Sequence, residues 1–170
     1  GLDGFEIEAG SGETLPPGIA QAAENEIDPA ELSARLSADR AVVLDLAPSR
    51  DYDAGHIPGA WWGVRARLAD SLPRLPNRPS LVLTSGSGVL ARLAAPEASE
   101  LTEMPIAVLA GGNRAWAEAG GELRSGLENL ADERDDTWLK PYDHPGGVEE
   151  RMRAYLTWEV DLLDDIERDG

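Results

Sequence analysis

Hydrophobic positions along the chain fall into short unbroken runs separated by longer stretches in which they recur every third or fourth residue. Ala41 to Leu46 (AVVLDL) and Leu81 to Thr84 (LVLT) are runs of the first kind, as are Trp61 to Val64 and Ile106 to Leu109. Continuous apolar strands of this length suit a sheet covered on both faces. Between them the pattern predicts helices. Asp28 as N-cap with Pro29 at the first helical position starts one that runs to about Ser37. A short helical turn follows at 49–54, then a helix from Arg65 to Leu72, another from Val89 to about Glu100 and a last short one from Asn113 to Ala119. Strands alternating with helices at this spacing predict a parallel sheet of α/β class, whose ligands sit beyond the carboxyl ends of the strands. Asp45 and the loop after Thr84 lie at such ends.

Past Gly126 the pattern changes. Residues 127–147 are polar and irregular, and from Val148 the positions of Met152, Tyr155, Leu156, Leu162, Leu163 and Ile166 predict one long amphipathic C-terminal helix. The first 25 residues are acidic and carry Gly and Pro, as a linker would. The expected division is therefore 1–25 as a linker or the tail of a preceding repeat, 26–126 as the α/β domain, and 127–170 as an extension.

Composition narrows the chemistry. There is no cysteine among the 170 residues, which excludes disulfides, thiolate metal sites and thiol catalysis on this chain. With only His56 and His144, an all-histidine metal site is excluded as well, and no cofactor is expected. A net charge of −17 repels phosphate backbones and anionic lipid, so neither nucleic acid nor a membrane surface is an expected partner. No apolar run approaches the ~20 residues of a membrane span, and GLDGFEIEAG does not resemble a signal peptide. A cytoplasmic location is the expectation.

The turn Thr84-Ser85-Gly86-Ser87-Gly88 joins a strand to a helix, a place where backbone N–H groups and the helix dipole converge. DLAPSRDYDAGHIPGA (45–60), LVLTSGSGVLARLAA (81–95) and VLAGGNRAW (108–116) stand in the order and spacing of the rhodanese homology domain, which the stretch from about Glu26 to Gly126 resembles. GHIPGA at 55–60 is the most specific of these pieces. The resemblance implies a five-stranded parallel sheet with helices on both faces. In active members it implies sulfur transfer: a cysteine heading the loop after the fourth strand takes sulfane sulfur from a donor such as thiosulfate and passes it to an acceptor.

Here the cysteine's position is Ser85, and the implied active-site loop is Ser85, Gly86, Ser87, Gly88, Val89 and Leu90. A hydroxyl is far less acidic than a thiol and needs an adjacent base to act at all. No histidine or lysine lies near it in sequence. Other departures agree: the arginine that the family usually has two positions after the strand-end aspartate is Ala47, and the glutamate that often follows is Asp51. A related phosphatase signature fails too, because the sixth position after Ser85 is Ala91 and Arg92 comes one later.

Asp45 is expected either to orient the loop or to cap the strand end. His56 reads as a turn-fixing side chain ahead of a base, and Trp61, Trp62 and Trp116 as packing residues. The N-terminal GLDGF followed by EIEAG mirrors GNRAW followed by ELRSG, as the end of a preceding repeat would. The chain is thus similar to the C-terminal portion of a tandem-domain sulfurtransferase. Three readings stand open: a catalytically silent rhodanese-like domain beside an active one; a thiosulfate sulfurtransferase whose cysteine is replaced here or lies in another domain; and a module binding thiosulfate or another small anion. Adjacent rhodanese domains are the expected protein partners.

Overall fold

A computed structural model describes residues 25–136. The long helix expected from Val148 lies outside them, as does the N-terminal mirror sequence. The elements below belong to the first of the two units into which the chain divides, the boundary lying between Arg134 and Asp135.

Five parallel strands form one sheet: β1 (Glu26–Ile27), β2 (Val42–Asp45), β3 (Trp61–Trp62), β4 (Leu81–Thr84) and β5 (Ile106–Leu109), in the spatial order β1-β5-β4-β2-β3. Among the described residues five α-helices accompany them: α1 (Pro29–Ser37), α2 (Ser49–Ala54), α3 (Leu68–Ser71), α4 (Val89–Leu101) and α5 (Gly112–Glu118). The α/β sheet expected from the alternating pattern is present. Side chains of successive strand residues point to opposite faces, so each strand feeds two cores. Val42, Leu44, Leu81, Leu83 and Val108 pack with Leu68, Leu72 and the alanines of α4. Val43, Val82, Ala107 and Leu109 pack on the other face with Leu32, Tyr52 and Trp116. Ala91, Ala94, Ala95 and Ala98 give α4 a small-residue face against the sheet.

Local details differ from the sequence pattern for identifiable reasons. Asp28 caps α1 through its side chain, accepting the Glu31 N–H at 2.7 Å, as its position predicts. The strand β1 has no counterpart in the hydrophobic pattern: it is two residues long, begins with a glutamate, and exists because it pairs with β5 in the register Glu26↔Val108 and Ile27↔Leu109. The strand expected over 61–64 stops at Trp62, since the Val64 N–H is taken by the Asp132 carboxylate at 2.7 Å. The single helix expected over 65–72 is instead α3 flanked by 3₁₀ turns at Arg65–Arg67 and Leu72–Arg74. Pro73, which has no N–H to donate, sits in the second of these turns.

The segment from Arg124 to Asp132 runs beside β3. His56 and Arg124 exchange both backbone hydrogen bonds, and Trp62 bonds to Asn129 and Ala131. The edge of the sheet is thereby closed.

Candidate functional site

At the carboxyl end of β4 the chain leaves the sheet at Thr84 and enters α4 at Val89. Gly88 makes that turn at φ +81, a conformation that a side chain would strain. Ser85 is buried, with 2% of its surface exposed, and its Oγ has no hydrogen-bond partner. Its carbonyl accepts the N–H of Asn113 at 2.9 Å and that of Gly88 at 3.3 Å, while the Gly86 carbonyl accepts the N–H of Arg114 at 3.1 Å. The loop carbonyls are thus turned toward the first turn of α5. No described residue accepts the N–H groups of Gly86, Ser87, Val89, Leu90 or Ala91.

The close approach of α5 explains the Gly-Gly pair. A Cβ on Gly112, at φ +64, would fall inside van der Waals contact of the Ser85 carbonyl oxygen and the Gly88 nitrogen. Only a glycine lets this helix reach the loop.

Asp45, at the end of β2, is completely buried. One oxygen accepts the Ala47 N–H at 2.9 Å and the other accepts Asn113 Nδ2 at 2.6 Å. Asn113 Oδ1 in turn accepts the Thr84 hydroxyl at 2.9 Å. Burial pushes the Asp45 carboxyl above its ordinary range; the bonds from Ala47 and Asn113 and the nearby His56 oppose the rise, and Asp51 adds to it.

His56 is also fully buried and is held by a different set of contacts. Its Nδ1 lies 2.8 Å from the Tyr52 carbonyl, and its ring stacks on the Tyr52 ring at 3.9 Å between centroids. Nε2 has no hydrogen-bond partner and stands 3.9 Å from a Glu128 carboxylate oxygen. Tyr52 completes this corner by donating its hydroxyl toward the carbonyls of Ala60 and Glu128. Burial, with the Asp45 and Glu128 carboxylates adding to it, holds its phenol well above the usual range, so it remains a donor.

The structure therefore joins Asp45 to the loop through Asn113, whereas no hydrogen bond or ion pair links His56 to Ser85. Arg92, the cation nearest the loop in sequence, pairs with Glu26 on β1. Arg114 reaches Glu118 at 3.9 Å. Among the described residues no cluster of three or more His, Asp or Glu side chains is placed to hold a metal ion, and no helix is long and apolar enough to cross a membrane. Sequence reasoning passed over Asn113 and Thr84. The available signal was a polar residue directly behind Gly111-Gly112 in a helix start that otherwise faces the core.

The family model of the rhodanese-like domain matches residues 28–119, more than half of the chain. The chain belongs to the rhodanese-like family. Among solved structures, this rhodanese-like domain is similar to a thiosulfate sulfurtransferase from Pseudomonas aeruginosa, with 39% identity and a TM-score of 0.79 over 86% of this chain and 28% of that one. It thus spans little more than a quarter of that protein's length. A protein of unknown function and possible tyrosine phosphatase from Rhodopseudomonas palustris is 25% identical, with a TM-score of 0.54 over 68% of this chain and 100% of that one. A rhodanese-related protein from Thermoplasma volcanium, 21% identical with a TM-score of 0.52 over 59% of this chain and 97% of that one, shares the fold. No curated protein matches.

Proposed function

We propose that this rhodanese-like domain is silent in sulfur transfer and keeps the loop Ser85 to Leu90 as the frame of a sulfurtransferase site without its sulfur nucleophile. The observation that carries the reading is Ser85 Oγ, buried at the head of the loop with no base bonded to it. Serine chemistry requires a partner that removes the hydroxyl proton. A bond from oxygen to sulfur is no substitute for a persulfide. The chain offers no cysteine elsewhere to take the role.

The similarity to about a quarter of a longer thiosulfate sulfurtransferase supports a second reading, in which this chain is the C-terminal portion of a multidomain sulfurtransferase. Activity then resides in an adjacent rhodanese domain, or in a cysteine that Ser85 replaces. The loop N–H groups that have no acceptor among the described residues, and the N-terminus of α4, favour thiosulfate or a similar small anion as ligand. A net charge of −17 opposes tight binding.

Incubation with thiosulfate and cyanide is expected to give no thiocyanate above the protein-free rate, and formation above it overturns the silent reading. Ser85→Cys supplies the missing atom. The introduced thiolate attacks the sulfane sulfur of thiosulfate, sulfite leaves with the bonding pair, and a persulfide remains. Cyanide then removes the outer sulfur as thiocyanate and regenerates the thiolate. Mass spectrometry after thiosulfate treatment is expected to show one added sulfur on this variant and none on the parent. A variant that folds yet never gains sulfur contradicts the assignment of the loop.

A further inference from the structure

We infer that Asn113 is the positioning residue of the loop, a side chain that ties the ends of β2 and β4 together while its own backbone holds the loop in shape. The inference rests on reading Ser85 to Leu90 as the site.

Asn113 is buried and works in two directions. Its amide nitrogen donates to Asp45 Oδ2 at 2.6 Å, and its amide oxygen accepts from Thr84 Oγ1 at 2.9 Å. Its backbone N–H meets the Ser85 carbonyl at 2.9 Å, and the next N–H, of Arg114, meets that of Gly86. The loop therefore hangs from α5, and α5 is pinned at its first turn to the two strand ends that flank the site. The carboxylate, which only accepts, fixes which way the amide faces, and the Thr84 hydroxyl turns to donate to its oxygen. Aspartate at 113 would oppose two carboxylates, alanine would strand a buried carboxylate, and leucine would do the same with added bulk.

With the loop carbonyls turned onto α5, the N–H groups of Gly86, Ser87, Val89 and Leu90 have no acceptors among the described residues. Any group bound at the head of α4 is held by those donors. Their aim depends on an amide side chain whose own hydrogen bonds go to Asp45 and Thr84.

Amide hydrogen exchange reads this directly in the parent chain. The Gly88, Asn113 and Arg114 amides report the clamp, and Val42 and Leu81, bonded to Ser80 and Pro105 at the far end of the sheet, report global opening. Asn113→Ala is expected to speed exchange of the first set relative to the second by on the order of tenfold. Equal acceleration of both sets, or of neither, overturns the inference, because a residue that only stabilises the fold moves both alike. The double exchange D45N/N113D keeps the hydrogen-bond chain with donor and acceptor reversed. The new amide at 45 still accepts from Ala47 and donates to the new carboxylate at 113, which still accepts from Thr84. It is expected to restore loop protection, and a folded double variant with an unprotected loop overturns the inference even if Asn113→Ala does not fold.

The sulfur reaction separates this inference from the reading beneath it. Ser85→Cys that takes no sulfur contradicts the loop assignment, while the exchange result on the parent chain still decides the role of Asn113. Sulfur uptake by S85C together with a loss of about tenfold or more in S85C/N113A is the expected pair. Equal uptake by the two overturns the inference alone.

Discussion

A methyl group added to Gly112 meets the Ser85 carbonyl and the Gly88 nitrogen, whereas one added to Gly59, also at positive φ, meets nothing within 4 Å. The two glycines separate the cost of backbone conformation from the cost of collision. Gly59→Ala is expected to lower stability by about 1–2 kcal/mol, and Gly112→Ala by about 3 kcal/mol or more, both measured by urea unfolding. Similar values for the two would mean that α5 does not press on the loop. Asp45 carries a second prediction at this scale. Its carboxyl is raised by burial, so the folded protein holds that proton more firmly than the unfolded chain does. The stability this group contributes is complete below the unfolded value of about 3.9 and is lost as pH rises through the folded one. The stability of the parent minus that of Asp45→Asn is therefore expected to fall as pH rises above the unfolded value; a difference that grows with pH contradicts the burial argument.

Among the elements, the segment from Arg124 to Asp132 behaves as an added edge to the sheet, and two side chains anchor it. Asp132 is buried and accepts from Val64 N–H and from Ser71 Oγ, each at 2.7 Å, with Arg74 at 3.7 Å. Asp132→Ala orphans the Val64 N–H and is expected to cost about 2–3 kcal/mol in unfolding free energy. Tyr52→Phe, which removes the hydroxyl toward Ala60 and Glu128, is expected to cost about 1 kcal/mol. Changes within experimental error in both would show that the segment is not held by these anchors. None of this edge was legible beforehand, because its partners lie 61 and 76 residues apart in sequence and share no periodic pattern. By contrast β4 and β5 were legible to the residue, since LVLT and IAVL are buried on both faces and carry no competing signal. Glu26-Ile27 shows the reverse case: two residues become a strand only because β5 offers them a partner. In the site, Ser85 and Asp45 were visible as residues at strand ends. Asn113 was not, because its two side-chain partners lie 68 and 29 residues away.

Across the whole molecule a charge of −17 sets the solution behaviour. Like charges repel in the compact state more than in the expanded chain, and salt screens them over about 10 Å at 0.1 M. The melting temperature is expected to rise from low ionic strength to about 0.5 M sodium chloride. A flat or falling trend would place the dominant electrostatic effect in local pairs such as Arg92–Glu26 or Arg65–Glu97. The same excess of negative charge argues that any anion reaching the loop does so against the field of the protein.

The backbone around position 85 is gripped through its carbonyl, and the side-chain oxygen there touches no polar neighbour. A mould held from behind keeps its contour whatever is cast in it. Residue 85 is thus a natural port for exchange: sulfur or selenium can take the place of that oxygen, and the surrounding chain has no bond to that atom to lose.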